Sequence, residues 1–293
     1  MRHAILGAGG LGGLIGAALA RQGHEVTLLV RDRAIASHPR RLRVESAVLG
    51  DFEAEVLLAP HLDFQPDVVW ITVKSTQLEQ SLTAVPPGVL GSGLVLPLLN
   101  GIDHMDRLRE VYGDRVLGGV MRVESERVAP GHYRQPTPFA NIEVSGRGSL
   151  APAAVRLASE VAATGLGCRV QEDELTMLWG KLCGLAAMAL ATTALQLPVG
   201  GVRDDPEGRR LVTGVAAEAV PVAQAEGARL ELAQVMAFLE GVPAQMRSSM
   251  QKDREAGRSL EVDAIGGPIV RRGRMHAIPT PITELLVDRL RRL

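Results

Sequence analysis

The chain has 293 residues, 32 of them basic and 33 acidic, for a formal net charge of −1, and 46% are hydrophobic. That length holds two domains with a core each, while the balanced charge leaves no electrostatic case for nucleic acid or a membrane surface as partner. The two cysteines, Cys168 and Cys183, lack metal-ligand spacing, so no metal is expected and both read as buried apolar side chains in a reducing compartment.

Residues 4–20, AILGAGGLGGLIGAALA, carry no charge and invite two readings. A secretory signal has a basic start, an apolar stretch and a small-residue cleavage site. Six glycines lower both the hydrophobicity and the helix propensity of this stretch, and GHEVTLLVRD follows at once as a turn and a strand. The pattern therefore predicts a strand over 3–6, a tight turn at 7–12, a helix to about residue 22 and a strand over 25–30. That is GxGxxG inside a βαβ unit. Gly7 permits the turn, Gly9 lets the backbone approach a pyrophosphate, and Gly12 lets helix pack on strand. The helix N-terminus offers its unpaired N–H groups to the phosphates. With the signal reading set aside and no other long apolar run read from the sequence, the protein is expected to be cytoplasmic.

The second strand runs into Val30, Arg31, Asp32 and Arg33. NAD-preferring sites place an acid there for the ribose hydroxyls, whereas a guanidinium suits a 2′-phosphate through its planar fork of donors. Arg31 is the first choice for binding NADP and Arg33 the second; Asp32 on a ribose, or a charged loop facing water, are the competing readings. DVVWITVK (67–74) and GLVLPLLN (93–100) read as buried strands, with helices from residue 75 and over 103–112. Lys74 and Asn100 close those runs, where ligands lie in open α/β sheets. Their plainer readings are an exposed lysine and an Asn-Gly turn. More strands are expected at 115–123, 132–135 and 141–144. Such alternation predicts an α/β fold, a Rossmann-type doubly wound, mainly parallel sheet.

After about residue 172 the patterns turn helical, at 175–191, 207–226, 230–239, 244–255, 260–265 and 280–292. Pro206 suits the start of the second of these and Pro221 is expected to kink it. The boundary near residue 170 gives two domains: 1–170, Rossmann-like and NADP-binding, and 171–293, a second, all-helical domain for substrate and dimerisation. Apolar stretches such as LVTGVAAEAV pack either within that domain or against a second copy, as a homodimer. In LWGKLCGLAAMALATT, Lys181 interrupts an otherwise apolar helix. It is either a snorkelling surface residue or a partly desolvated ammonium able to give a proton to a carbonyl oxygen. RSSMQKDREAGRSLEVDAIGG gathers Ser248, Ser249, Asp253, Glu261 and Asp263 on two short helices split by Gly257.

Taken in order, GxGxxG, VKSTQ, NG, WGKL, SSMQKDREAGRSLEVDAIGG and IPTP resemble the ketopantoate reductase family, the NADPH-dependent 2-dehydropantoate 2-reductases of pantothenate synthesis, over nearly the whole chain. The resemblance implies that Gly7, Gly9 and Gly12 hold the pyrophosphate of NADPH, Arg31 its 2′-phosphate, and Lys74 and Asn100 its nicotinamide half. It implies Lys181 as general acid, Ser249 as the ligand of the carboxylate of a small 2-oxo acid, and Glu261 as the acid that bonds the substrate hydroxyl and the ribose region. One departure bears on the substrate. The family presents asparagines one and two turns after the lysine; here Leu185 and Ala189 stand there, on the lysine's own helix face. Losing hydrogen bonds that read a hydroxyl costs up to ~10⁴–10⁵ in discrimination, so a bulkier or more apolar 2-oxo acid competes with ketopantoate. A related hydroxyacid or opine-type dehydrogenase and a non-catalytic NADP(H) sensor are the other readings.

Overall fold

Apolar runs without alternation suit strands covered on both faces, and the computed structural model, which describes residues 1–293, places them side by side in one parallel sheet. The chain divides into a sheet unit, Met1–Leu99 with His104–Glu174, and a helical unit, Asn100–Asp103 with Leu175–Leu293.

The sheet unit opens with β1 (Arg2–Leu6), α1 (Gly10–Arg21), β2 (Glu25–Leu29) and the short α2 (Asp32–Ile35). It continues through β3 (Arg41–Ser46), β4 (Phe52–Glu55), β5 (Leu57–Ala59), β6 (Val68–Ile71), α3 (Leu78–Leu82), α4 (Pro87–Leu90) and β7 (Leu94–Pro97). After α5 (His104–Tyr112) come β8 (Gly118–Val123), β9 (Glu126–Ala129), β10 (His132–Gln135), β11 (Ala140–Ser145), α6 (Ala151–Ala163) and β12 (Gly167–Val170). Five strands pair in parallel in the order β5-β2-β1-β6-β7. The chain reverses direction across the sheet between β1 and β6, the switch point at which doubly wound sheets bind ligands. The Rossmann-type expectation holds.

The strands expected at 115–123, 132–135 and 141–144 form, but outside that sheet. β10 belongs to a second, mixed sheet in the order β4-β3-β10-β9, and β8 and β11 pair antiparallel in a third sheet closed by β12. The second sheet explains the uncharged stretch near the N-terminus. Every residue of α1 from Gly12 to Leu19 is buried. On one side a Cβ at Gly16 would stand 3.0 Å from Ile5 and 3.1 Å from Leu28, in the parallel sheet; on another, a Cβ at Gly13 would stand 2.1 Å from the Tyr133 ring of β10. A helix covered on both sides has no polar face.

The helical unit is built on α7 (Glu174–Leu195), followed by α8 (Val199–Asp204), α9 (Pro206–Ala225), α10 (Leu232–Gly241), α11 (Ser249–Glu255), α12 (Val262–Ile265), α13 (Gly267–Met275) and α14 (Pro281–Arg291). α7 is a second long apolar run, contrary to the expectation of none. It is long and apolar enough to cross a membrane by length and composition only, and most of its apolar window is buried within the protein, as in a core helix. Asp205 caps α9 by accepting the Gly208 N–H at 2.6 Å, and the helix runs on through Pro221. The helix expected over 244–255 begins only at Ser249, because the Ser248 hydroxyl accepts the Gln251 N–H and starts the helix there.

Candidate active site

The glycines after β1 have separable jobs. Gly7 lies at φ +109°, a left-handed conformation that disfavours any side chain. A Cβ at Gly12 would stand 2.0 Å from the Gly7 carbonyl oxygen and 2.4 Å from Thr72 Oγ1. Gly9 differs: its φ is −78°, and an added Cβ would meet no atom within 4 Å. Neither backbone nor packing requires glycine there. Gly9 also sits at the N-cap of α1 with no side-chain cap, ahead of a first turn without acidic residues. The first-turn N–H groups have no intrahelical acceptor and carry partial positive charge. Open space above such a turn fits the pyrophosphate of a dinucleotide.

Two residues that sequence reasoning missed fix this turn. The Thr72 hydroxyl, one residue past β6, hydrogen-bonds the carbonyl oxygens of Gly7 at 2.8 Å and Leu6 at 3.1 Å. Ser125 Oγ donates to the Gly10 carbonyl at 2.9 Å. Thr72 has a faint signal, a single polar letter inside VVWITV; Ser125 has none. Arg31 stands at the N-cap of α2, and Arg31, Asp32 and Arg33 are all exposed. Lys74 was expected to close its strand, but β6 ends at Ile71 and half-buried Lys74 instead precedes a 3-10 turn, Ser75–Gln77.

In the helical unit the structure joins two of the predicted residues. Asn100 Nδ2 donates to Glu261 Oε2 at 3.1 Å, and Glu261 is only 7% exposed, at the start of α12. The Asn-Gly pair is more than a turn. Gly101 lies at φ +86°, and a Cβ there would stand 2.3 Å from the Ala264 carbonyl oxygen of α12. On α7, Lys181 and Leu185 are half-buried one turn apart, while Ala189 is fully buried. Lys181 therefore shares its stripe with aliphatic side chains.

The adjacent serines separate sharply. Ser248 is buried; it caps α11 and its Oγ lies 2.9 Å from Thr192 Oγ1 of α7. Ser249, the predicted carboxylate ligand, is exposed. The Asp and Gly-Arg of the same motif pair with each other, Arg258 Nε donating to buried Asp253 at 2.8 Å. The first turn of α14, just after the IPTP segment, is held by Glu218 of α9, which accepts the N–H groups of Ile282 and Thr283 at 2.8 Å each and the Thr283 hydroxyl at 2.7 Å. Burial pushes both thiols, Cys168 and Cys183, up to about 12, which keeps them protonated and poorly nucleophilic.

These features can be set beside known proteins. Residues 3–145 match the profile of ketopantoate reductase PanE/ApbA, and residues 173–293 match that of its C-terminal region. The 2-dehydropantoate 2-reductase of Caulobacter vibrioides is 30% identical over 97% of this chain and 96% of its own. A PanE/ApbA family ketopantoate reductase from Ralstonia eutropha JMP134 superposes with a TM-score of 0.88 at 31% identity, covering 99% of this chain and 97% of that one. The ternary structure of D-mandelate dehydrogenase with NADH and anilino(oxo)acetate shares the fold, with a TM-score of 0.90 at 24% identity over 99% and 97% of the two chains. The chain belongs to the ketopantoate reductase family of oxidoreductases.

Proposed function

We propose that this protein reduces a 2-oxo acid to the 2-hydroxy acid with NADPH, 2-dehydropantoate being the leading substrate. The observation that carries the reading is the hydrogen bond from Asn100 to the nearly buried carboxylate of Glu261. Burying a carboxyl group costs stability that its hydrogen bonds offset only in part, and such a group held by an amide is a candidate for contacting a ligand. The backbone of Gly7, Gly9 and Gly12 holds the cofactor's phosphates, exposed Arg31 its 2′-phosphate, and Lys74 and Asn100 serve its nicotinamide half. The reduced nicotinamide supplies the hydride. Lys181 stabilises the negative charge that develops on the ketone oxygen and then protonates it. Ser249 orients the substrate carboxylate, and Glu261 holds a hydroxyl or positions the lysine.

A second substrate reading rests on half-buried Leu185 and buried Ala189 along the lysine's stripe. A wall without amides favours an apolar side chain over the hydroxylated one of ketopantoate. NADPH oxidation measured with ketopantoate beside unbranched and aromatic 2-oxo acids separates the two. Lys181→Ala lowers kcat by ~10²–10⁴-fold, the usual worth of a general acid, with NADPH affinity nearly kept. Unchanged turnover in that variant removes Lys181 from the chemistry. A wild-type protein that binds NADPH yet turns over none of these acids is a sensor instead.

A further inference from the structure

The Asn100–Glu261 contact joins two separate segments, the Asn100–Asp103 loop and α12. One guanidinium reaches both, although Asp263 Oδ1 also accepts from Arg291 of α14 at 2.6 Å. Arg271 of α13 donates through Nη2 to Asp103 Oδ2 at 2.5 Å, and through Nη1 to Asp263 Oδ1 at 3.0 Å. Its Nη2 also lies 3.2 Å from the Asp263 carbonyl oxygen. Asp103 stands three residues after Asn100, and Asp263 two residues after Glu261. Three residues of chain span at most ~10 Å, so a loop held at Asp103 and seated at Gly101 against Ala264 has no slack at Asn100. The neighbouring Arg272 grips the other oxygen of Asp103 at 3.0 Å while its Nη1 sits 3.1 Å from Glu226.

Stability alone does not account for this arrangement. The Arg271, Asp103 and Asp263 side chains are 45%, 40% and 66% exposed. Ion pairs that wet contribute ~0–1 kcal/mol, and α13 is already packed through buried Ile269, Val270 and Gly273. What a planar fork adds is direction: it fixes two carboxylates relative to each other, which a lysine ammonium does not.

We propose that Arg271 is a positioning residue, bridging Asp103 and Asp263 so that the Asn100 amide and the Glu261 carboxylate stay in register. The proposal rests on the reading of that pair as part of the site. The test follows NADPH oxidation with ketopantoate, or with the best acid of the panel, in Arg271→Ala and Arg271→Lys. Both variants lose about tenfold in kcat, with KM and NADPH affinity changed by less than about threefold, a loss of ~1.4 kcal/mol felt at the chemical step. Arg271→Lys keeps the charge and the stem, so it carries the test should Arg271→Ala fail to fold. Combined with Asn100→Ala, the Arg271 change adds no further loss, because both act through one contact.

Hydrogen exchange by mass spectrometry supplies the readout besides activity. Residues 100–103 and 261–265 exchange faster in either Arg271 variant, while α9 is unchanged. Unaltered exchange in these segments overturns the bridge, as do losses that multiply with Asn100→Ala. Faster exchange with kcat unchanged in both the Arg271 and the Asn100 variants leaves the bridge standing and overturns instead the reading of Asn100 and Glu261 as site residues.

Discussion

At the scale of single residues, the glycines of the first turn make opposite predictions. Gly12 has backbone at 2.0 Å from where a Cβ would go, so Gly12→Ala forces helix from strand and costs ~1–3 kcal/mol of stability. Gly9 has nothing within 4 Å. Gly9→Ala leaves stability within ~0.5 kcal/mol, but on the proposed reading its methyl enters the space assigned to phosphate, and nicotinamide-cofactor binding weakens about tenfold. Thermal melts and fluorescence titration of both variants check the pair; a destabilised Gly9→Ala with unaltered affinity would assign that glycine to folding. Motif spacing already assigns the turn to Gly7, phosphate approach to Gly9 and helix packing to Gly12; what it does not carry is which atoms surround each Cβ, Gly7 and Thr72 at Gly12 and none within 4 Å at Gly9. Lysine is a more informative letter here. Only Lys74, Lys181 and Lys252 occur among the 32 basic residues. Where arginine fills nearly every solvated position, a lysine set among apolar neighbours stands out by composition alone. Ser125, Asp103 and Arg271 are invisible to such reasoning, since each matters through partners distant in the chain.

At the scale of elements, the Ser248–Ser249 pair shows one short helix with a structural residue and a candidate ligand side by side. Ser248→Ala removes the cap of α11 and the contact with Thr192, and lowers stability by ~1–2 kcal/mol. Ser249→Ala changes stability by under ~0.5 kcal/mol and raises KM for the 2-oxo acid severalfold, with kcat nearly kept. Denaturant melts beside steady-state kinetics decide it; a Ser249→Ala enzyme with unchanged KM would take that hydroxyl out of substrate binding. Helices and strands with one strong period were readable, including α9, α14 and the continuous runs of β6 and β7. β3 was not. Its RLRVES carries the exposed–buried alternation of a half-covered strand, a shorter and weaker signal than the continuous runs around it, and no element is assigned there from the sequence. α13 was hidden differently, by two glycines, a proline and three arginines in nine residues, GPIVRRGRM, although Ile269 and Val270 anchor it. In α13, weak helix propensity is overridden by packing.

At the scale of the whole molecule, the sheet that carries the glycine turn also carries an acid weakness. His3 lies on β1 with no exposed surface, and its Nδ1 accepts the Trp70 indole N–H at 3.1 Å. Burial, then the charge of His24 and of the N-terminal amine, brings its pKa down to about 3. His24 is lowered as well, by burial first and the N-terminal amine second. In the unfolded chain both imidazoles titrate near 6.5. Between about pH 6.5 and 3 the unfolded state therefore binds protons that the folded state refuses, so stability falls as the pH drops through this window and is flat with respect to His3 above it. The slope from His3 alone approaches roughly 1 kcal/mol per pH unit. Carboxylates held low by arginines, such as Glu45 and Glu79, add their losses only at more acid pH, which leaves pH 7 to 5 as the window that isolates the histidines. Melting of the sheet unit followed at pH 7, 6 and 5 should drop by several degrees in the wild type. His3→Asn keeps an acceptor for the indole and removes the titrating ring, so its curve over the same range is flatter. Parallel curves for the two proteins would mean that His3 takes up its proton inside the folded sheet, and that burial around β1 is looser than its packing indicates.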